Sequence, residues 1–184
     1  RKKKKKPMKL VVMALTLLFL GSIFMVGRQL FPLTHGETIR AYAAQYGVSP
    51  FLVYSVIHTE SRFNENALSP AGAKGLMQIT DDTGRYLAGK LDLEAFTPES
   101  LYDPERNIHM GVYYLSLLAQ SFQRKETKLA AYNAGPTRVS GWLQEEAYGD
   151  GERLHTIPFE ETKNYVKRVI LRERIYRILY FLDG

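Results

Sequence analysis

The chain has 184 residues and no cysteine, enough for one globular domain with its own core, and disulfides, thiolate metal sites and lipid-modified cysteines are excluded. Its net charge of +6 is local: seven of the 25 basic residues lie within residues 1–9, whereas from residue 28 onward 18 basic residues face 19 acidic ones, a net of −1. The basic surplus belongs to the tail, so a nucleic-acid partner is not expected.

Residues 1–9 read as a basic tail, and residues 10–27 carry no charge between Lys9 and Arg28. As a helix this stretch would span ~27 Å, close to the thickness of a bilayer's hydrocarbon core. Lysines before it and a near-neutral domain after it predict a retained single-pass anchor, tail inside and domain outside. A cleaved signal peptide competes with that reading, but Ile23-Phe24-Met25-Val26-Gly27 lacks a clear small-x-small cleavage site. Residues 28–36 read as a linker and residues 37–184 as the folded domain.

Ile39, Ala43 and Tyr46 have helical spacing, ended by Gly47. Ser49-Pro50 is a strong helix start, serine as N-cap and proline at the first position. Phe51, Val53, Tyr54, Val56 and Ile57 make that helix apolar on most sides, so it is expected to be central, ending near Glu60. Residues 64–74, rich in Asn, Ser, Pro and Gly, suit a loop. Asp103-Pro104 opens another helix with an apolar face of Ile108, Val112, Tyr113, Leu115 and Leu118. A short helix is predicted at residues 128–133, stopped by Gly135-Pro136, then another carrying Trp142 in the core. Residues 148–151 read as a polar glycine loop. Pro158 is expected to start a final helix reaching about Leu182. The fold class is mostly α, one domain of many short helices, without a run of strands. Nothing signals an oligomer, so a monomer is expected. His35, His58, His109 and His155 lack metal-site spacing; neither a metal nor a cofactor is predicted.

The chemistry concentrates at Glu60, a carboxylate at the end of an apolar helix, followed by a glycine-rich turn and Met77. Burial there would raise its pKa and leave a proton available near neutral pH. Locally, a solvated helix-end glutamate paired with Arg62 is an equal reading.

Four segments occur in order: Glu60-Ser61-x-Phe63-Asn64; Ser69-Pro70-x-Gly72-Ala73-x-Gly75-Leu76-Met77-Gln78; Ala131-Tyr132-Asn133-Ala134-Gly135-Pro136; and Ile157-Pro158-Phe159-x-Glu161-Thr162-x-x-Tyr165-Val166. Together, over about residues 39–176, they closely resemble the catalytic domain of soluble-type lytic transglycosylases, peptidoglycan-cleaving relatives of goose-type lysozyme. The resemblance implies a lysozyme-like fold and a groove for alternating N-acetylglucosamine and N-acetylmuramic acid in the bacterial cell wall. It implies one glutamate serving as acid and then base, with a 1,6-anhydro product.

Carried over position by position, Glu60 matches the acid/base, Ser69 a substrate contact near the acetamido group, and Gln78 a sugar-binding groove residue. Tyr132 matches a tyrosine near the catalytic carboxylate. Asn133 supports the loop or binds sugar, Glu161 faces the groove, and Tyr165 and Met77 are weaker substrate-binding candidates. Gly72, Gly75 and Gly135 read as backbone geometry. One departure follows Ile79: the family commonly has an apolar residue and proline, whereas this chain has Thr80-Asp81-Asp82-Thr83. Helix capping by Thr80 or Asp81 explains it. An aspartate positioning water would instead make the enzyme a hydrolytic muramidase. A non-catalytic glycan-binding scaffold is the alternative from a different class.

Overall fold

The structure, a computed structural model, describes residues 6–181. The residues 1–5 of the expected tail and Leu182 lie outside them. Eight α-helices and one 3₁₀ turn are described: α1 Lys6–Leu30, α2 Gly36–Tyr46, α3 Pro50–Glu60, α4 Asp81–Lys90, the 3₁₀ turn Pro98–Tyr102, α5 Pro104–Ser121, α6 Lys125–Ala134, α7 Pro136–Gln144 and α8 Glu160–Leu179. No strand occurs among the described residues; only isolated bridges do, at Leu68–Lys74, Lys74–Ile79 and Gly149–Leu154.

The central position of α3 follows from its sequence. Residues 52–57 are all buried, and the helix packs between α8 and α2. A helix apolar on every side must be covered on every side. Met110, Val112 and Leu115 of α5, Leu129 of α6 and Val169 of α8 join it in one core. Truncating such a side chain to alanine typically costs about 2–5 kcal/mol. Trp142 is buried on α7, edge-on to Phe159 at 5.1 Å.

Several ends fall where local chemistry puts them. Gly47 closes α2 in the left-handed conformation, φ 65°. Asp103 caps α5, its carboxylate accepting from Arg106 N–H at 2.8 Å. Ser49 holds the N-cap position of α3, but its hydroxyl accepts from Arg177 at 3.1 Å instead of capping.

Other boundaries differ. The final helix starts at Glu160, two residues past Pro158, and ends at Leu179. The helix expected at residues 128–133 is longer, Lys125–Ala134. The 3₁₀ turn had no sequence signal that stood out. α1 continues through the start of the expected linker to Leu30, and the connection that follows is docked. The ring of Phe31 packs edge-on against Tyr176 at 5.4 Å, and Tyr180 Oη donates to Phe31 O at 2.6 Å.

Candidate active site

Glu60 is the last residue of α3, and the chain turns sharply beyond it. Arg62 and Phe63 both adopt left-handed conformations, φ 52° and 64°. The loop of residues 64–80 then folds back without a sheet. Ser69 N–H donates to Ala73 O at 2.9 Å, and Lys74 and Ile79 exchange backbone hydrogen bonds at 2.9 and 3.1 Å. Ser69 Oγ also accepts from Ala73 N–H at 3.0 Å. Gly75 sits at φ 74°, and a Cβ there would collide with Leu101 O and the Asn107 amide. Only glycine fits this turn.

Asn107 pins the loop from α5. Its Oδ1 accepts from Met77 N–H at 2.7 Å, and its Nδ2 donates to Leu101 O at 2.7 Å and Lys74 O at 3.0 Å. Asn107 is fully buried, and its bonds to Met77 and Leu101 are shielded from water.

The loop forms one wall of a groove of about 430 Å³. Glu60, Ser69, Gln78, Tyr132, Asn133 and Glu161 all line it. Gln78 donates from Nε2 to Gly75 O at 3.0 Å and to Ala67 O at 3.2 Å, which fixes its orientation. Asn133 Oδ1 accepts from Thr162 Oγ1 at 2.7 Å, joining α6 to α8. Glu161 lies exposed in the first turn of α8, where the helix dipole favours a carboxylate.

Two of the predicted substrate-binding residues, Met77 and Tyr165, are buried and do not line the groove. Met77 has no exposed surface, and its side chain packs against Gly111 of α5. Its contribution is a backbone carbonyl, which accepts from Tyr132 Oη at 2.9 Å. The Tyr132 hydroxyl is therefore already partnered, although the ring lines the groove near Glu60.

The electrostatics single out Glu60. Its pKa is pushed up to about 7, chiefly by burial, with the nearby Glu161 charge adding to it. Tyr165 and Arg168 oppose that rise. The residue is half-buried: protein packs densely around the carboxyl, while one side opens to the groove. No ion pair joins it to Arg62 among the described residues. The Tyr165 hydroxyl is buried and has no hydrogen bond of normal geometry. It faces the Glu60 charge, and burial and that charge hold its pKa well above the usual phenol range. It stays a neutral donor beside the carboxylate.

Residues 37–154 match the transglycosylase SLT domain. The chain belongs to that family. It is 35% identical over 156 residues to the soluble lytic murein transglycosylase of Escherichia coli K12, covering 83% of this chain and 24% of that protein. It is 28% identical over 172 residues to membrane-bound lytic murein transglycosylase C of Actinobacillus pleuropneumoniae serotype 5b, covering 81% and 46%. Among solved structures it resembles the 70 kDa soluble lytic transglycosylase of Escherichia coli, with TM-score 0.76 and 33% identity over 88% of this chain and 26% of that one. It also resembles an inactive mutant of a Pseudomonas aeruginosa lytic transglycosylase, with TM-score 0.72 and 32% identity over 80% and 24%. The chain thus spans about a quarter of the length of its soluble curated relatives.

Within this SLT domain, the departure at residues 80–83 has a local explanation. Thr80 is the N-cap of α4, its hydroxyl accepting from Thr83 N–H at 3.4 Å. Asp81 pairs with Lys74, and Asp82 is exposed; neither lines the groove. Sequence reasoning missed Tyr114, which lines the groove and tilts against Tyr132 at 5.3 Å. It also missed Arg168 and Asn107, whose effects act across the fold and leave no local signal.

Proposed function

We propose that this chain is a membrane-anchored lytic transglycosylase that cuts peptidoglycan strands between N-acetylmuramic acid and N-acetylglucosamine. The observation that carries the reading is a carboxyl with pKa about 7 in the wall of an open groove. Near neutral pH such a group both gives and takes a proton readily. In the first step Glu60 gives its proton to the glycosidic oxygen, the bond from that oxygen to C1 breaks, and the departing sugar leaves as an alcohol. The substrate's 2-acetamido group assists by attacking C1. The Glu60 carboxylate then takes the proton of the muramic 6-hydroxyl as O6 bonds to C1 and the bond from C1 to the acetamido oxygen breaks, restoring the acetamido group. The product is a 1,6-anhydro sugar, and Glu60 ends protonated as it began. No water is consumed and no second carboxylate is required, unlike the two-carboxylate glycosidase scheme.

Ser69, Gln78, Asn133 and Glu161 are the sugar-binding groups of this reading. Tyr132 shapes the wall, and Tyr165 donates to Glu60 when it is ionised. One solved relative is an inactive glutamate-to-glutamine mutant, which supports a single essential glutamate here. Residues 8–30 are the anchor; they form a helix long and apolar enough to cross a membrane, with none of its window buried. The lysines before it favour a cytoplasmic tail and an extracytoplasmic domain. The membrane-bound name of one relative agrees with anchoring.

Mass spectrometry of products from purified peptidoglycan tests the reaction. The expected muropeptides are lighter by one water than their hydrolytic counterparts. Products that all carry free reducing ends would replace the reading with a muramidase.

A further inference from the structure

The C-terminal end of α8 is apolar, exposed and set against the end of α1. Leu171, Arg174 and Ile178 share one face of α8 and Phe181 follows two residues past its end; all four are exposed, Ile178 at 67% and Phe181 at 81%. Leu179 packs on Gly27, where an added Cβ would lie 3.0 Å from Leu179 Cδ2. Tyr180 Oη donates to Phe31 O at 2.6 Å and approaches Arg28 O at 3.4 Å. The Arg28 guanidinium lies over the Tyr180 ring at 4.5 Å. Tyr176 Oη donates to Pro32 O at 3.2 Å. These contacts hold the last turn of α8 level with the last turn of α1.

We propose that this end of α8 is a second membrane contact, with Ile178 and Phe181 seated in the outer interface of the bilayer that α1 crosses. The proposal rests on the reading of α1 as an anchor. Gly27 is the last residue of the uncharged stretch, so the hydrocarbon boundary falls near it. Leu179 touches Gly27 and therefore stands at that boundary, with Ile178 and Phe181 beside it in sequence. The flanking chemistry suits an interface: Arg174 is exposed and carries a long stem with a charged tip that reaches headgroups. A lipid surface is the occupant because α1 delivers it to this level.

The consequence is a fixed working height. Glu161, at the groove, is 18 residues from Leu179 on the same helix. At about 1.5 Å per residue, the groove lies within ~27 Å of the lipid boundary. The domain would reach only glycan strands close to the membrane.

The absence of cysteine makes the test direct, because each single-cysteine variant takes one spin label. The full chain is reconstituted in nanodiscs of phosphatidylcholine and phosphatidylglycerol, labelled in turn through Ile178→Cys, Phe181→Cys, Leu18→Cys and Ser140→Cys. Accessibility to oxygen and to a water-soluble nickel chelate is then compared. Labels at 178 and 181 are expected to fall between those at 18 and 140, with an oxygen-to-nickel ratio severalfold above that at 140. If 18 reads lipid while 178 and 181 read water, the second contact is overturned and the anchor stands. If 18 also reads water, the anchor reading fails and takes this one with it. Dipolar coupling between labels on two chains at 178 would assign the patch to a second copy and overturn the lipid contact.

Discussion

Glu60 and Glu173 are both carboxylates enclosed by the same helices, and they are held in opposite states. Glu173, 3% exposed on α8, meets Lys125 Nζ at 2.9 Å and Arg177 Nη2 at 2.7 Å. Burial pushes its pKa up, but the two cations more than offset that, and the net direction is down. Around Glu60 burial prevails, because Arg168 acts from outside ion-pair range and the Tyr165 hydroxyl offsets only part of the rise. Depth alone therefore does not decide a carboxyl's proton; cation contact does. One site is an ion-pair clamp between α6 and α8, and the other is a proton reservoir facing a groove.

The contrast breaks most severely at Glu60. Glu60→Gln keeps the shape and removes the proton chemistry. Lysis of purified peptidoglycan, followed by turbidity, is expected to fall by about 10²–10⁴-fold, the usual scale for a general acid or base. Unchanged lysis would sink the role assigned to Glu60.

The next effect is on stability. Glu60 has a folded pKa near 7, above its ordinary value of 4.5. Its contribution is therefore fully present below pH 4.5 and is lost as pH rises through 7. By pH 9 the wild type should have lost on the order of 3 kcal/mol relative to Glu60→Gln, read by urea denaturation. Parallel stability curves for the two proteins between pH 5 and 9 would contradict this.

Glu173→Gln tests the other member of the pair. It leaves Lys125 and Arg177 without their carboxylate, and both cations are about half exposed. A loss of about 2 kcal/mol is expected, below the usual cost of breaking a fully buried pair because water reaches the cations. Activity per folded molecule should not change. A large drop in kcat would mean that the clamp also positions the groove.

The smallest effect is expected from Tyr165→Phe. Tyr165 lowers the pKa of Glu60, so removing its hydroxyl should raise that pKa further. The basic limb of the kcat/KM profile would move up by as much as about one pH unit. A limb that stays in place would separate Tyr165 from the catalytic carboxyl.

Much of the scaffold is legible because its signals are local. Ser49-Pro50, Asp103-Pro104 and Gly47 mark ends within one turn of themselves, and the apolar run before Glu60 marks the central helix. Ser69, Gln78, Tyr132, Asn133 and Glu161, all singled out from the sequence, lie in the groove lining. Orientation was not legible. Met77 turns inward because Gly111, distant in sequence, leaves room for its side chain. The Tyr132 hydroxyl meets a carbonyl 55 residues away. Ser49 reads as a cap, yet its hydroxyl serves Arg177 from 128 residues away. Such pairings are fixed by packing after the helices assemble, and short-range pattern carries no trace of them.

Asn107 gives the loop beside Glu60 an unusual dependence. One amide side chain does there what a ladder of backbone bonds does in a sheet, so one wall of the groove can come loose while every helix stays intact. A chain that lost this amide would keep its helical spectrum and its core. It would still lose the cleft's contour, leaving a folded protein unable to hold a strand for cutting.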